Sequence, residues 1–153
     1  MKSIFSKAMM LVAIAAALVS FTPSFGGEGF EISLNGKVLL QQFGKDLHTV
    51  KDLQVGQLLP QDKLTIRYFH CGQAGKNRVV TVKDRQNHVL KVWHYEDAAS
   101  AQGGMLCSSQ DIISLKKAGN NVFKLYYSSN ELPGGRLLVN IVAGEGNAVA
   151  ARK

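Results

Sequence analysis

The sequence predicts an all-β protein, namely an antiparallel β-sandwich (Ig-like or jelly-roll-like) of about seven to eight strands with one disulfide. Apolar and polar residues alternate along short segments, and spacing typical of an amphipathic helix is nearly absent after the first 26 residues. Clusters of glycine, asparagine, aspartate and proline separate these segments at intervals of about ten residues. The two cysteines, Cys71 and Cys107, supply the predicted bridge.

The first element is a secretory signal peptide, predicted over residues 1–26. A lysine-containing start leads into an uninterrupted apolar run over residues 8–19, and the small residues Ser24 and Gly26 occupy the positions that a signal peptidase reads. The run is shorter than the roughly 20 apolar residues that a membrane span requires. With no cysteine near the cut, we expect a periplasmic or extracellular protein and not a lipoprotein.

The rest of the chain predicts a single β-sandwich domain over residues 27–143 and a flexible tail over residues 144–153. The tail is rich in small and polar residues, which favours fraying. No later apolar segment approaches the length of a membrane span, so none is expected in the mature chain. The alternating segments that predict strands are residues 30–34, 64–68, 80–83, 90–92, 123–127 and 137–141.

The first hairpin turns at Asn35-Gly36, and its register can be predicted. An Asn-Gly pair favours a two-residue turn, which would place Leu34 opposite Lys37 and direct that lysine toward the core. A three-residue loop instead places Ile32 opposite Val38. We predict the three-residue loop because it keeps the apolar residues of both strands on one face.

The stretch FHCGQAGKNR, residues 69–78, places a histidine beside Cys71. An even pair of cysteines in an exported protein predicts one disulfide, here between Cys71 and Cys107. The stretch lacks the spacing and the hydroxyl residue of a phosphate-binding loop, and no helix follows it. We therefore interpret it as a loop held by the bridge.

The histidines do not predict a metal site. His88 and His94 fall on one strand and lie about 20 Å apart at roughly 3.3 Å per residue, while His48 and His70 lie in other segments. We therefore predict no metal and no cofactor. No nucleophile motif is present, so we expect a protein that is not an enzyme. The alternative is a small secreted hydrolase whose catalytic residues come together only in the fold.

The strand HVLKVWHY, residues 88–95, carries the only tryptophan. Leu90 and Val92 share one face in this pattern, and Lys91, Trp93 and Tyr95 share the other. If Lys91 marks the solvent side, the two aromatic rings form an exposed platform suited to a sugar ring or a protein partner. The simpler alternative is that Trp93 covers an edge of the core while Lys91 extends outward.

Basic residues after position 63 predict a second binding surface, with Lys76 and Arg78 as its main members. Together with Lys63, Arg67 and Arg85 they would form a basic edge for an anionic envelope component. The alternative is that these side chains protect exposed strand edges from aggregation. The formal net charge of +7, part of it in the signal peptide, is too small to indicate nucleic-acid binding.

These patterns predict an exported binding or accessory module. The predicted partner is a glycan, an anionic envelope component or a protein. The alternatives are the secreted hydrolase and a structural envelope protein.

Overall fold

The computed structural model describes residues 27–119, 121–144 and 150–152, and within them the chain is mostly β. The predicted signal peptide lies outside the described residues. No helix in the described part is long and apolar enough to cross a membrane. The elements are β1 (Gly29–Leu34), β2 (Lys37–Phe43), a 3-10 helix (Gly44–His48), β3 (Lys51–Val55), β4 (Lys63–Phe69), β5 (Arg78–Lys83), β6 (Val89–Tyr95), β7 (Met105–Ser108), α1 (Ser109–Lys117), β8 (Val122–Ser128), β9 (Arg136–Ala143) and β10 (Ala150–Arg152).

The strands form two sheets. Sheet A has four strands in the order β2-β1-β4-β7, and sheet B has six in the order β10-β3-β9-β8-β5-β6. The predicted two-sheet, mostly β architecture is confirmed, but the number of strands was underestimated. All neighbouring strands are antiparallel except β3 and β9, which are parallel. β3 and β9 come from distant parts of the sequence. Local alternation within each segment therefore does not show whether the two strands run parallel or antiparallel.

A single core lies between the sheets. The ring of Tyr68 in β4 stacks on the ring of Tyr127 in β8, with centroids 4.4 Å apart and an interplanar angle of 14°. This contact joins sheet A directly to sheet B. Buried apolar side chains from both sheets surround it, among them Phe30, Ile32, Leu64, Ile66, Met105, Val80, Val82, Phe123, Leu125 and Ile141.

The register of the first hairpin differs from the predicted one. The two residues of the Asn35-Gly36 turn both have positive φ, 52° and 82°, and Leu34 lies opposite Lys37. This is the two-residue turn that the Asn-Gly pair favours, and the predicted three-residue loop was wrong. A β-bulge after the next pair, Ser33 with Val38, adds one residue to β2, so that Ile32 lies opposite Leu40 in the core. Lys37 stays exposed at the end of the hairpin.

Helix α1 was not predicted. Ser108 is its N-cap, and the Ser108 hydroxyl accepts a hydrogen bond of 3.3 Å from the backbone N–H of Asp111. A serine followed three residues later by an acidic residue and then by apolar residues is a known helix-start pattern. Gly119, with a φ of 92°, follows the helix and favours its termination. Ile112 packs into the core from this helix.

The predicted tail contains a short strand. Ala150–Arg152 forms β10 and pairs with β3, with Ala150 opposite Gln54. Residues 145–149 and residue 153 lie outside the described part of the chain. The boundaries predicted for the signal peptide, the domain and the tail stay predictions.

The predicted disulfide was wrong, because Cys71 and Cys107 are both free and lie far apart. Cys107 is buried in β7 opposite Leu64, at the start of β4. Cys71 follows the other end of β4 in an exposed turn, about 20 Å away at roughly 3.3 Å per residue. The prediction counted cysteines and had no information on how β4 and β7 pair.

The two thiols should therefore differ in reactivity. Burial raises the pKa of Cys107 to about 12, whereas Cys71 is exposed. We expect one equivalent of an aromatic disulfide reagent to react with the native protein, and none with the Cys71→Ser variant. In denaturant without reductant, two equivalents of the reagent should react with the wild-type chain. If none reacts with the denatured chain, the two cysteines are joined by a disulfide after all.

Candidate functional site

The inner and outer faces of β6 follow from its pairing with β5. Trp93 lies opposite Val80 and Lys91 lies opposite Val82, and both valines are buried. Residues directly opposite each other share a face of the sheet. Lys91 and Trp93 therefore face inward, while Val92 is 38 % exposed on the outer face. Of the two alternatives left open by the sequence, this is the one in which Trp93 covers an edge of the core, and not the one in which Lys91 marks the solvent side.

Trp93 is held in place by helix α1. Its indole Nε1–H donates a hydrogen bond of 3.1 Å to Oδ2 of Asp111, and the ammonium of Lys91 lies 2.9 Å from the same oxygen. The hydrogen bond from Lys91, reinforced by the one from Trp93, keeps the pKa of Asp111 below its usual value. An ionised carboxylate at the edge of sheet B therefore fixes both side chains.

Tyr95 joins the edges of the two sheets. Its hydroxyl donates a hydrogen bond of 2.8 Å to the carbonyl oxygen of Leu106 in β7 and lies 3.4 Å from Sγ of Cys107. Burial raises the pKa of Tyr95, so the hydroxyl stays protonated and available as a donor. In this position Tyr95 bridges β6 and β7, and its ring packs against the core.

A surface cavity of about 370 Å³ lies beside Trp93; we call it the Trp93 depression. Cys107 and Ser109 are its buried members, and the exposed Leu106 and Lys63 lie at its margin. It combines an aromatic ring with neutral and charged polar groups. The lining residues are Pro60, Gln61, Asp62, Lys63, Trp93, Leu106, Cys107, Ser108 and Ser109.

Hydrogen bonds hold the polar margin of the Trp93 depression. The carboxylate of Asp62 accepts a bond of 2.8 Å from the backbone N–H of Leu59 and one of 2.9 Å from the side chain of Asn35. These two bonds, the first being the larger cause, lower the pKa of Asp62. The hydroxyl of Ser109 donates to the carbonyl of Asp62 over 2.7 Å. The segment before β4 is thereby fixed to the first hairpin and to α1.

Lys76 and Arg78, the other predicted binding residues, have different environments. Arg78 is only 8 % exposed, and its guanidinium donates to the carbonyl of Glu96 (2.8 and 3.0 Å) and to that of Gly103 (2.9 Å). Lys76 is exposed at the tip of the loop. Arg67 forms an ion pair of 2.6 Å with Glu31 on sheet A. Arg78 and Arg67 are therefore paired within the protein, while the basic edge as a whole stays a prediction.

The FHCGQAGKNR loop is held by hydrogen bonds to two neighbouring segments. The backbone N–H of Asn77 donates to Asp97 over 2.9 Å, and the carbonyl of Gly75 accepts from Ala98 over 2.9 Å. The backbone N–H of Lys76 donates to Glu131 over 3.0 Å. These hydrogen bonds and the Arg78 contacts hold the loop in place, which is the role that was predicted for the disulfide.

A buried polar network at the same end of the protein bears on the hydrolase alternative. Nε2 of His70 lies 2.9 Å from the hydroxyl of Tyr127 and 3.3 Å from that of Ser129. His70 is 8 % and Ser129 is 5 % exposed, so a substrate cannot reach the Ser129 hydroxyl. Burial lowers the pKa of His70, which favours the neutral ring. The network was not predicted, because His70 lies more than 50 residues in sequence from both Tyr127 and Ser129.

Within the described part of the chain, no three metal-ligating side chains of the His, Cys, Asp or Glu type lie together. No protein-family model matches the chain, and no curated protein is significantly similar to it.

Proposed function

We propose that this protein is an exported binding module, Ig-like or jelly-roll-like in its detailed fold, that binds a glycan in the Trp93 depression. The observation that carries the proposal is an indole fixed by Asp111 beside a cavity of about 370 Å³ whose mostly apolar lining includes several polar side chains. Sugar rings present an apolar C–H face that packs on aromatic rings, and their hydroxyls require donors and acceptors around that ring.

The margin of the depression offers both kinds of polar group. Asp62 is ionised and supplies acceptor oxygens, while the neighbouring Lys63 supplies an ammonium donor. Gln61 and Ser108 add neutral groups that can donate or accept. A fixed margin binds with a smaller loss of conformational entropy than a mobile one, and the bonds from Asn35 and Ser109 provide that rigidity.

Export forms part of the proposal and rests on the predicted signal peptide. It would place the depression among the polysaccharides of a cell envelope or its surroundings. Cleavage after Gly26 predicts a mature chain that begins at Gly27, which N-terminal mass spectrometry of the exported protein would detect. A chain that retains residues 1–26 would remove this part of the proposal.

A protein partner is the second candidate, because apolar side chains are exposed on the two edge strands β6 and β7. Leu106, which lines the depression, is 54 % exposed, and Val92 is exposed on the outer face of β6. Exposed apolar groups on strand edges favour protein contacts. A protein partner would bind the mature chain without competition from soluble glycans.

The test is a panel of soluble oligosaccharides, with binding measured by calorimetry. We expect a ligand whose affinity falls about 30-fold or more in Trp93→Ala, since central aromatic residues of interfaces commonly contribute about 2 kcal/mol or more. Lys63→Ala should also weaken binding while leaving the core intact. The matched control is Tyr126→Ala, which removes an aromatic ring from the outer face of β8. Glycan binding that persists in both site variants would contradict the proposal.

A further inference from the structure

A second concave surface lies between helix α1 and the ends of β3 and β9; we call it the α1 groove. Its volume is about 340 Å³, within the range of about 300–1,000 Å³ that is usual for small-molecule sites. Most of its lining is aliphatic. The lining residues are Val55, Gly56, Gln57, Leu58, Ile112, Ile113, Lys116, Ile141 and Ala143.

The floor and the sides of the groove are both apolar. Val55, Ile112 and Ile141 are almost fully buried and belong to the core. Ile113 and Leu58 are half-buried and form part of its sides. An open cavity with this lining favours an occupant with a flexible hydrocarbon part, because every apolar surface that the occupant covers is removed from water.

Lys116 supplies the only formal charge among the described residues of the lining. Its ammonium donates one hydrogen bond of 3.0 Å, to the carbonyl of Gly144, and its other two N–H groups have no acceptor among the described residues. No described carboxylate forms an ion pair with it. The groove therefore combines aliphatic walls with a cation that lacks a described counter-ion, and this complementarity favours a single-chain anionic amphiphile.

The helix explains why the cation lies beside the groove. Ile112 and Lys116 are four residues apart on α1 and so share a face of the helix. A lysine near the C-terminal end of a helix also stabilises the helix through its dipole. A purely structural role for Lys116 would affect stability and not ligand charge preference, so the two roles are distinguishable.

We propose that the α1 groove binds a free fatty acid, with the acyl chain in the groove and the carboxylate at Lys116. This site is separate from the Trp93 depression and does not depend on glycan binding. The cation should favour decanoate over decanol, and decanol over decyltrimethylammonium. Each methylene added from hexanoate onward should tighten binding about fourfold until the groove is filled.

The test is calorimetry of the mature chain with hexanoate, octanoate and decanoate below their micelle concentrations. We expect saturable binding at one site, with about tenfold weaker decanoate binding in Lys116→Gln and unchanged decanol binding. Lys116→Arg should retain the preference for the anion. Lys45→Gln, in the exposed 3-10 helix, is the control for general charge loss.

A second variant tests the walls of the groove. Ile113→Asn should weaken decanoate and decanol alike, and Trp93→Ala should change neither. Absence of saturable decanoate binding would overturn the proposal, and so would equal affinity for decanoate and decyltrimethylammonium. A Lys116→Gln variant with wild-type decanoate affinity would also overturn it. Glycan binding can fail without affecting any of these outcomes.

Discussion

Replacing Tyr127 with alanine should lower the free energy of unfolding by about 3–5 kcal/mol. The ring is buried and stacks on Tyr68 across the interface between the sheets, and its hydroxyl lies 2.9 Å from Nε2 of His70. Alanine would leave a cavity in the centre of the core and remove one of the two polar partners of the buried His70. Both losses act in the same direction.

Tyr126 is the matched control, because it is the adjacent residue and faces outward. The ammonium of Lys83 lies 4.3 Å from the centroid of its ring, a cation–π contact on the outer face of sheet B. Tyr126→Ala should cost about 1 kcal/mol or less. Urea denaturation of both variants measures the difference. If both variants lose the same free energy of unfolding, the Tyr68–Tyr127 stack does not contribute more to stability than an outward-facing ring.

Tyr127→Phe separates the two contributions of this side chain. It keeps the stacked ring and removes only the hydroxyl near His70, so the expected loss is about 1–2 kcal/mol. If Tyr127→Phe is as unstable as Tyr127→Ala, the polar network dominates the packing.

Local alternation was a reliable guide to the strands because each sheet has one face on the core. In β4, Leu64, Ile66 and Tyr68 are buried and the residues between them are not, which is the period-two pattern of the sequence. The same logic located β5, β8 and β9. Strand identity is a local property, so it could be predicted without knowing which strands pair.

Pairing is a long-range property, and the predictions that depended on it were wrong. The bulge in β2 allows a two-residue Asn-Gly turn and still places Ile32 opposite Leu40 in the core. The prediction compared only turns of two and three residues without a bulge. The disulfide required Cys71 and Cys107 to meet, but β4 separates them along its length. The parallel pairing of β3 with β9 likewise had no signal in either segment.

Among the residues predicted to bind a partner, only Trp93 and Lys63 line the Trp93 depression. Lys91 and Trp93 were predicted to share a face, which is correct, but the alternation left open whether that face carries Lys91 into solvent or toward the core. Its partner is Asp111 on α1, at a position that the overlooked helix-start pattern would have placed at a helix N-terminus. Strand alternation alone does not show that an inward charge at a sheet edge has a carboxylate beside it.

The second large effect concerns Arg78, which was predicted as a binding residue and lies in a structural position. Arg78→Met should lower the free energy of unfolding by about 2–4 kcal/mol, because the carbonyls of Glu96 and Gly103 lose charge-assisted hydrogen bonds in a largely buried environment. Methionine keeps most of the aliphatic volume, so the loss reports the guanidinium and not a cavity.

Lys76→Met removes a basic side chain from the same loop and is the matched control. Its ammonium is exposed, and the hydrogen bond to Glu131 comes from its backbone, which methionine retains. We expect a change within about 0.5 kcal/mol. Amide hydrogen exchange should accelerate over residues 96–103 in Arg78→Met and stay at the wild-type rate in Lys76→Met. If both variants are equally stable, the conformation of residues 96–103 does not depend on the buried guanidinium, and Arg78 is again a candidate binding residue. If they differ as expected, the conformation of residues 96–103 depends on three hydrogen bonds from one side chain, and not on a covalent bridge between Cys71 and Cys107.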